Sequence, residues 1–289
     1  MSEREGNNVF GTGEKPMVQG IQTITTAEML KDEFGLTIAQ ETVPLPSKGK
    51  IYPQNSSLYG KEHLEIRAMT TREEDILTSR ALIKKGTVVN ALIKSCLVDK
   101  TIDVDSMISG DRNALMVAIR ITGYGPEYKT KLTCEKCGET EERVFMLDQC
   151  PIKPLDEQTV EEGQNLFEKR LTKSNALIQF KLLNSKDELE IITEQERRKK
   201  LGLKTSGAES IITDQLKASI VKINSVTDKG KIAQAVQNLP AFDSRELRKY
   251  MGDVQPGIDL TQKTECPSCG NEEEVTIPLG TNFFWPDSE

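Results

Sequence analysis

Four of the chain's six cysteines fall into two Cys-x-x-Cys-Gly motifs, Cys134-Glu135-Lys136-Cys137-Gly138 and Cys266-Pro267-Ser268-Cys269-Gly270. Two intervening residues let both thiolates of a motif reach one ion at about 2.3 Å, and the following glycine permits the tight turn. One motif supplies two ligands, and two motifs supply the tetrahedral four-cysteine set of a zinc ribbon. Four thiolates close the coordination sphere and leave no position for water, so the predicted site is structural rather than catalytic. An all-sulfur set suits Zn²⁺ or iron, and a redox-inert structural role favours Zn²⁺. The expectation is one Zn²⁺ per chain on Cys134, Cys137, Cys266 and Cys269. Two half-sites completed by a second chain, or redox-active cysteine pairs, are the competing readings. No βαβ pattern surrounds either pair, which weighs against redox chemistry. Cys96 falls on an apolar helical stripe and reads as core, and Cys150 reads as a buried thiol rather than a fifth ligand.

The elements that must position these sulfurs are strands. Lys131–Gly138 and Lys263–Gly270 match at a constant offset of 132 residues. Each is preceded by a strand-like segment (Tyr128–Leu132; Asp259–Lys263) and followed by an acidic turn and another strand (Glu142–Leu147; Glu274–Ile277). The repeat reads as two β-hairpins, each tipped by a knuckle. The 128 residues between Cys137 and Cys266 exceed ordinary ribbon spacing, so a shared ion implies an inserted unit between the hairpins.

The rest of the chain is punctuated by caps and breakers. Residues 1–42 read as an arm with one short helix, opened by a Thr25/Glu28 capping box and stopped at Gly35. After the Pro- and Gly-rich entry at 44–53, Leu64–Arg67 alternates as a strand. A Thr71/Glu74 capping box opens a helix predicted to run to Lys85 and stop at Gly86. Val89, Leu92, Ile93, Cys96 and Leu97 make the apolar stripe of the next helix. Asp111 is expected to cap a third helix, with Arg112 exposed or ion-paired beside it. Segments 166–171 and 176–184 form a predicted hairpin, followed by a charged helix at about 186–200. Its acids come first and its Arg197–Lys200 cluster last, an order that suits the helix dipole. Further helices are predicted at 209–222 and 228–238, then one capped by Asp243 with Glu246 and reaching Met251.

Composition excludes several classes. The chain has 289 residues, 36% hydrophobic and 5% aromatic, with 38 basic and 45 acidic side chains and a net charge of −7. That balance argues against a surface devoted to phosphate backbones. One histidine, His63, removes most imidazole-based triads and metal sites. The longest apolar run, Ala114–Ile119, is far short of the roughly 20 residues a spanning helix needs. The start of the chain lacks an apolar secretory segment, and the expectation is a protein that stays in the cytoplasm. There is no phosphate loop, and Ser47 and Ser174 have no histidine in a recognisable arrangement. Three of the fourteen aromatics, Phe283, Phe284 and Trp285, adjoin near the end of the chain. They either close the ribbon's core or present a partner-docking hot spot.

A further set of short motifs carries a resemblance. Leu45–Tyr52, Arg67–Glu74, Gly110–Arg112 with Ile119–Gly125, the knuckle at Cys134, Pro278–Gly280 and Phe283–Pro286 together span most of residues 43–286. In these the chain resembles the baseplate hub family of T-even-like contractile-tailed bacteriophages, whose members are hub subunits or hub assembly factors. The resemblance implies a late viral protein, acting in tail assembly inside the infected bacterium and either retained in the virion baseplate or not. Its implied partners are other baseplate or tail hub proteins, with no nucleic acid, membrane or small-molecule substrate.

The combined expectation is an α+β, non-enzymatic structural protein: a small helical cluster plus a split four-cysteine zinc ribbon of two β-hairpins, with a mixed α/β insertion between the two knuckles. The segments are 1–42 (arm), 43–125 (helical domain), 126–155 (first hairpin), 156–257 (inserted unit) and 258–289 (second hairpin and aromatic tail). The alternative is a nucleic-acid-binding zinc-ribbon regulator of late transcription type. The glutamates at 139, 141, 142 and 272–274 count against it, because acidic hairpins repel phosphate.

Overall fold

The computed structural model describes residues 30–31, 37–201, 211–279 and 281–284. Two short strands, β1 (Leu30–Lys31) and β2 (Thr37–Ile38), pair antiparallel. The helix expected between Thr25 and Gly35 falls for the most part outside the described residues, and the described part, Leu30–Lys31, is strand. A helix that short is marginal on its own, and pairing with Thr37–Ile38 supplies the hydrogen bonds instead.

β3 (Gln40–Pro44) and β4 (His63–Arg67) form the next antiparallel pair, with buried Val43 opposite buried Leu64. The single helix predicted from residue 71 is broken in two, α1 (Thr71–Thr78) and α2 (Arg80–Lys85), by extended backbone at Ser79. Its capping box sits one residue earlier than expected, on Thr70 and Glu73. The side chain of Glu73 explains the shift. It is fully buried, accepts the Thr70 N–H at 2.9 Å and the Ser95 hydroxyl at 2.5 Å, and pairs with Arg67 at 2.7 Å. Burial raises its pKa, but these donors outweigh burial and hold it down at about 2. α2 ends where Gly86 turns left-handed, as expected.

α3 (Val88–Cys96) buries Val88, Leu92, Ile93 and Cys96, while Val89 is half-buried. α4 (Ser109–Tyr124) lies against it with Leu115, Met116 and Ile119 inside. Asp111 is not the helix cap. It lies in the first turn of α4, 0% exposed, where it accepts the Ser47 N–H at 2.9 Å, the Ser47 hydroxyl at 2.5 Å and the Tyr52 hydroxyl at 2.6 Å. Three donors from the 45–52 turn serve its two oxygens better than one helix N–H, so the helix begins earlier. Arg112 is ion-paired, to Glu188 at 2.5 Å.

Beyond Gly125 come β5 (Glu127–Thr133), β6 (Thr140–Met146) and the short β7 (Ile152–Lys153). The predicted hairpin is present as β8 (Phe167–Arg170) and β9 (Leu177–Phe180), and the charged helix as α5 (Ser185–Lys200). α6 (Ile211–Ser219) stops short of the expected end. The β-branched run after it, Ile220–Ile223, is β10 and pairs antiparallel with β9, making a three-stranded sheet in the order β10-β9-β8. α7 (Lys229–Gln237) and α8 (Ala241–Val254) follow. Pro240 precedes α8, and Asp243 and Glu246 are not its caps. Asp243 accepts the N–H groups of Lys173 and Ser174, and Glu246 that of Thr172, so both pin the β8–β9 turn. β11 (Gly257–Ile258) returns to pair with β7, and β12 (Thr261–Glu265) and β13 (Glu272–Thr276) close the sequence of strands.

The result is mixed α+β, with small sheets that are antiparallel throughout the described residues. One contiguous buried cluster runs from Leu92, Ile93 and Ile119 through Phe167, Ile178 and Phe180 to Leu247. Residues of the 156–257 stretch meet those of 71–124 at the start of α4. There Asn184 bridges to Ile108, and Gly110 touches the 256–257 backbone so closely that an added Cβ would sit 1.8 Å from the Pro256 carbonyl oxygen. Among the described residues no helix is long and apolar enough to cross a membrane.

Candidate metal centre

The two knuckle hairpins are built alike. In the first, β5 and β6 pair in register from Glu127–Met146 to Thr133–Thr140. In the second, β12 and β13 pair from Thr261–Thr276 to Glu265–Glu272. At the tips, Cys134 N–H donates to the Glu139 carbonyl at 2.9 Å and Cys266 N–H to that of Asn271 at 2.8 Å. Gly138 N–H closes back on the Cys134 carbonyl at 2.9 Å, and Gly270 N–H on that of Cys266 at 2.8 Å. Gly138 and Gly270 have φ of 74° and 67°, the left-handed region that side chains with a Cβ avoid. The sequence match therefore extends to backbone geometry.

The tips converge. Cys134 Sγ lies 3.8 Å from Cys269 Sγ, and Cys137 Sγ 3.7 Å from Cys266 Sγ, and all four sulfurs fall within 4.8 Å of one another. Ligands at about 2.3 Å from a tetrahedral ion stand roughly 3.8 Å apart, so the donor set has the spacing a metal requires. Cys134 and Cys266 are buried, Cys269 is intermediate and Cys137 is exposed. The N–H groups of Cys137 and Lys136 point at Cys134 and lower its thiol pKa to about 6. The Glu139 N–H acts in the same direction on Cys137, but desolvation and the three neighbouring sulfurs prevail and push that thiol up to about 12. Four thiols this close cannot all ionise without a cation among them.

The inner faces of the hairpins hold the pairs together with polar groups as well as sulfur. Ser268 donates to Glu141 at 2.7 Å, and Gln262 donates to the Met146 carbonyl at 2.9 Å. Arg143 forms an ion pair with Glu273. The sequence reading missed Arg143, Glu141 and Glu273 as inward-facing groups. The signal was the period of two along β6, which places Glu141 and Arg143 on the face of Phe145 and opposite Glu142 and Val144.

A model of the T4 bacteriophage base plate protein family matches residues 39–285. The chain belongs to that family. No curated protein and no solved structure was found to match it. In this base plate family member the match takes in both knuckles and the aromatic end through Trp285.

Of the two readings of the aromatic end, Phe283 and Phe284 follow the first, enclosure against the hairpins. Phe283 and Phe284 are 1% and 0% exposed, so they offer a partner no docking surface. Phe283 packs on Tyr128 with ring centroids 5.3 Å apart and on Phe284 at 5.4 Å. Buried Arg120 fixes the segment by donating from Nε to the Phe283 carbonyl at 3.2 Å. Apolar rings at the foot of β5 gain more from this enclosure than from water. Trp285 lies outside the described residues. Cys150 stands apart from the sulfur cluster, buried and receiving Gln262 Nε2 at 3.1 Å, with burial raising its thiol pKa. Cys96, in the core beside Glu73, is pushed up to about 12, chiefly by burial.

Proposed function

We propose that the chain is a non-enzymatic component or assembly factor of the phage tail baseplate hub, and that one Zn²⁺ on Cys134, Cys137, Cys266 and Cys269 staples its two hairpins. The observation that carries this is the meeting of two knuckles, 128 residues apart in sequence, at sulfur spacings of 3.7 and 3.8 Å within a base plate family member. The donor set is complete, so the ion shapes the protein and activates no water. In this reading 43–125, 126–155, 156–257 and 258–289 are successive segments clasped by the ribbon, and 1–42 is an arm. The protein acts in the cytoplasm of the infected host and docks on other baseplate or tail hub proteins. The exposed faces of the hairpins carry Glu139, Glu142, Glu272 and Glu274, which disfavours a phosphate-binding ribbon.

Elemental analysis of the reduced, purified chain tests the metal assignment: about one equivalent of zinc supports it, and none, or iron in its place, overturns it. Mass spectrometry of purified tails and of assembly intermediates tests the rest. Peptides in finished tails indicate a permanent component, and peptides in intermediates alone indicate an assembly factor. Absence from both overturns the hub assignment.

A further inference from the structure

Two arginines rank among the buried described residues, and they differ in how their nitrogens are used. Arg120 spends all three on backbone carbonyls, those of Phe283 at 3.2 Å, Gly125 at 3.0 Å and Glu127 at 3.1 Å. Arg143, 4% exposed, spends only Nη1, on Glu273. Its Nε and Nη2 are buried with no hydrogen-bond partner among the described residues. A buried cation with two idle donors is costly, and a buried polar group left unpaired asks for a partner not yet accounted for.

The position of Arg143 indicates what its charge serves. It lies on the inner face of β6, between the two hairpins and behind the knuckles. Burial works against its charge, yet Glu273 and then the sulfurs of Cys266 and Cys134 raise its pKa overall. Four thiolates around a dication leave two negative charges uncompensated, in a place partly screened from water. The other basic residues of the four ribbon strands, Lys129, Lys131 and Lys263, are exposed. We infer that Arg143 is a positioning residue for the metal centre: held between the hairpins by Glu273, its buried guanidinium offsets the excess charge of the metal–tetrathiolate group. Groups behind a metal's ligands set their orientation and electron density in this way. The inference rests on the four-cysteine reading, and it adds a reason for an arginine on a face that otherwise alternates toward an apolar base.

The competing account makes Arg143 only half of an ion pair that ties the hairpins. Three full-length variants separate the two: Arg143→Met, Arg143→Lys and Glu273→Gln. Zinc affinity is measured by competition with a chromophoric chelator, and the Co²⁺-substituted proteins are compared by absorption. If Arg143 serves the metal, Arg143→Met weakens zinc binding by about 10- to 100-fold, the range found for groups behind metal ligands, while Glu273→Gln changes it by less than about threefold. Arg143→Lys restores part of the loss. In the Co²⁺ form of Arg143→Met the thiolate-to-metal charge-transfer band moves to lower energy, because sulfurs without a neighbouring cation give up electrons more readily. A purely structural pair leaves that band in place. Equal losses in Arg143→Met and Glu273→Gln with an unmoved band overturn the inference. If Arg143→Met fails to fold, the Arg143→Lys and Glu273→Gln affinities decide: lysine at or above wild-type strength, or Glu273→Gln as weak as lysine, overturns it. A wild-type chain that binds no metal overturns instead the four-cysteine reading on which all this depends.

Discussion

The ribbon and the helical body hold themselves together by different means. In the body, α3 and α4 bring Leu92, Ile93, Leu115 and Ile119 into one cluster with Phe167 and Phe180, all of them fully or almost fully buried. In the two knuckle hairpins the fully buried rings, Tyr128, Phe145 and Phe283, lie at the foot, and further out the half-buried Leu132 and Val275 carry the apolar packing on. Toward the tips the inner faces turn to Thr130, Glu141, Arg143, Thr264 and Glu273. Two-stranded hairpins with such faces are marginal in water. The same residue type therefore plays opposite parts. Cys96 is a small apolar filler in a well-packed core, whereas Cys134, Cys137, Cys266 and Cys269 cluster where apolar packing is thin.

That contrast is sharpest under substitution. Structural zinc contributes an apparent ~10–16 kcal/mol at neutral pH, comparable to the stability of a whole domain. Cys137→Ser is expected to abolish stoichiometric zinc and to unfold the hairpin tips. Cys96→Ala leaves metal content unchanged and costs a few kcal/mol at most, about what a small core cavity costs. Metal content and thermal unfolding of both variants check this, and alike melting curves would break the comparison. Chelating the wild-type chain should act in the same uneven way. Hydrogen exchange should show amides of β5, β6, β12 and β13 losing protection while those of α4 keep theirs. Loss of protection throughout would mean that the body also depends on the ion.

The body has its own vulnerable point, where the inserted segment closes on it. Gly110→Ala places a Cβ against the Pro256 carbonyl, backbone against backbone, with no flexible side chain to yield. Overpacking of this kind costs about 1–3 kcal/mol and sometimes more. Urea unfolding should show that loss with zinc content unchanged. A variant as stable as the parent would mean that the 256–257 segment moves away cheaply, and that the insertion is more separable than its contacts suggest.

The sequence made the two knuckle hairpins more legible than the body. A knuckle is local: five residues specify its two cysteines, its turn and its glycine, and the repeat supplies the facing pair. The helical stripes and the β8–β9 hairpin were legible for the same reason, since their period lies within a few residues. What escaped was long-range. Asp111 and Asp243 look like caps because both occupy the start of a helix, but their oxygens serve backbone some 60 to 70 residues away. β10 reads as a helix end until β9 offers it an edge. In each case a distant segment with donors or apolar surface outweighed a local preference.

The smallest expected effect separates the two regions through glycine alone. Gly138 and Gly252 both have open space where a Cβ would go, so neither substitution to alanine causes a clash. Their backbones differ. Gly138 turns left-handed at φ 74° to close the knuckle, whereas Gly252 lies in the last turns of α8. Alanine in the left-handed region costs about 1–2 kcal/mol. Alanine in place of a helical glycine gains up to about 1 kcal/mol, less near a fraying end. Gly138→Ala should therefore lower stability, and, because the strained turn carries two ligands, it should also speed zinc transfer to a chelator. Gly252→Ala should raise the melting temperature slightly and leave zinc transfer untouched. The Lys153 side chain bonds to the Gly252 carbonyl, a backbone group that the substitution keeps, so no contact is lost in exchange. If Gly138→Ala releases zinc no faster than the parent, the knuckle turn is not under the constraint its φ implies, and the sulfur spacing must be held by the strands instead.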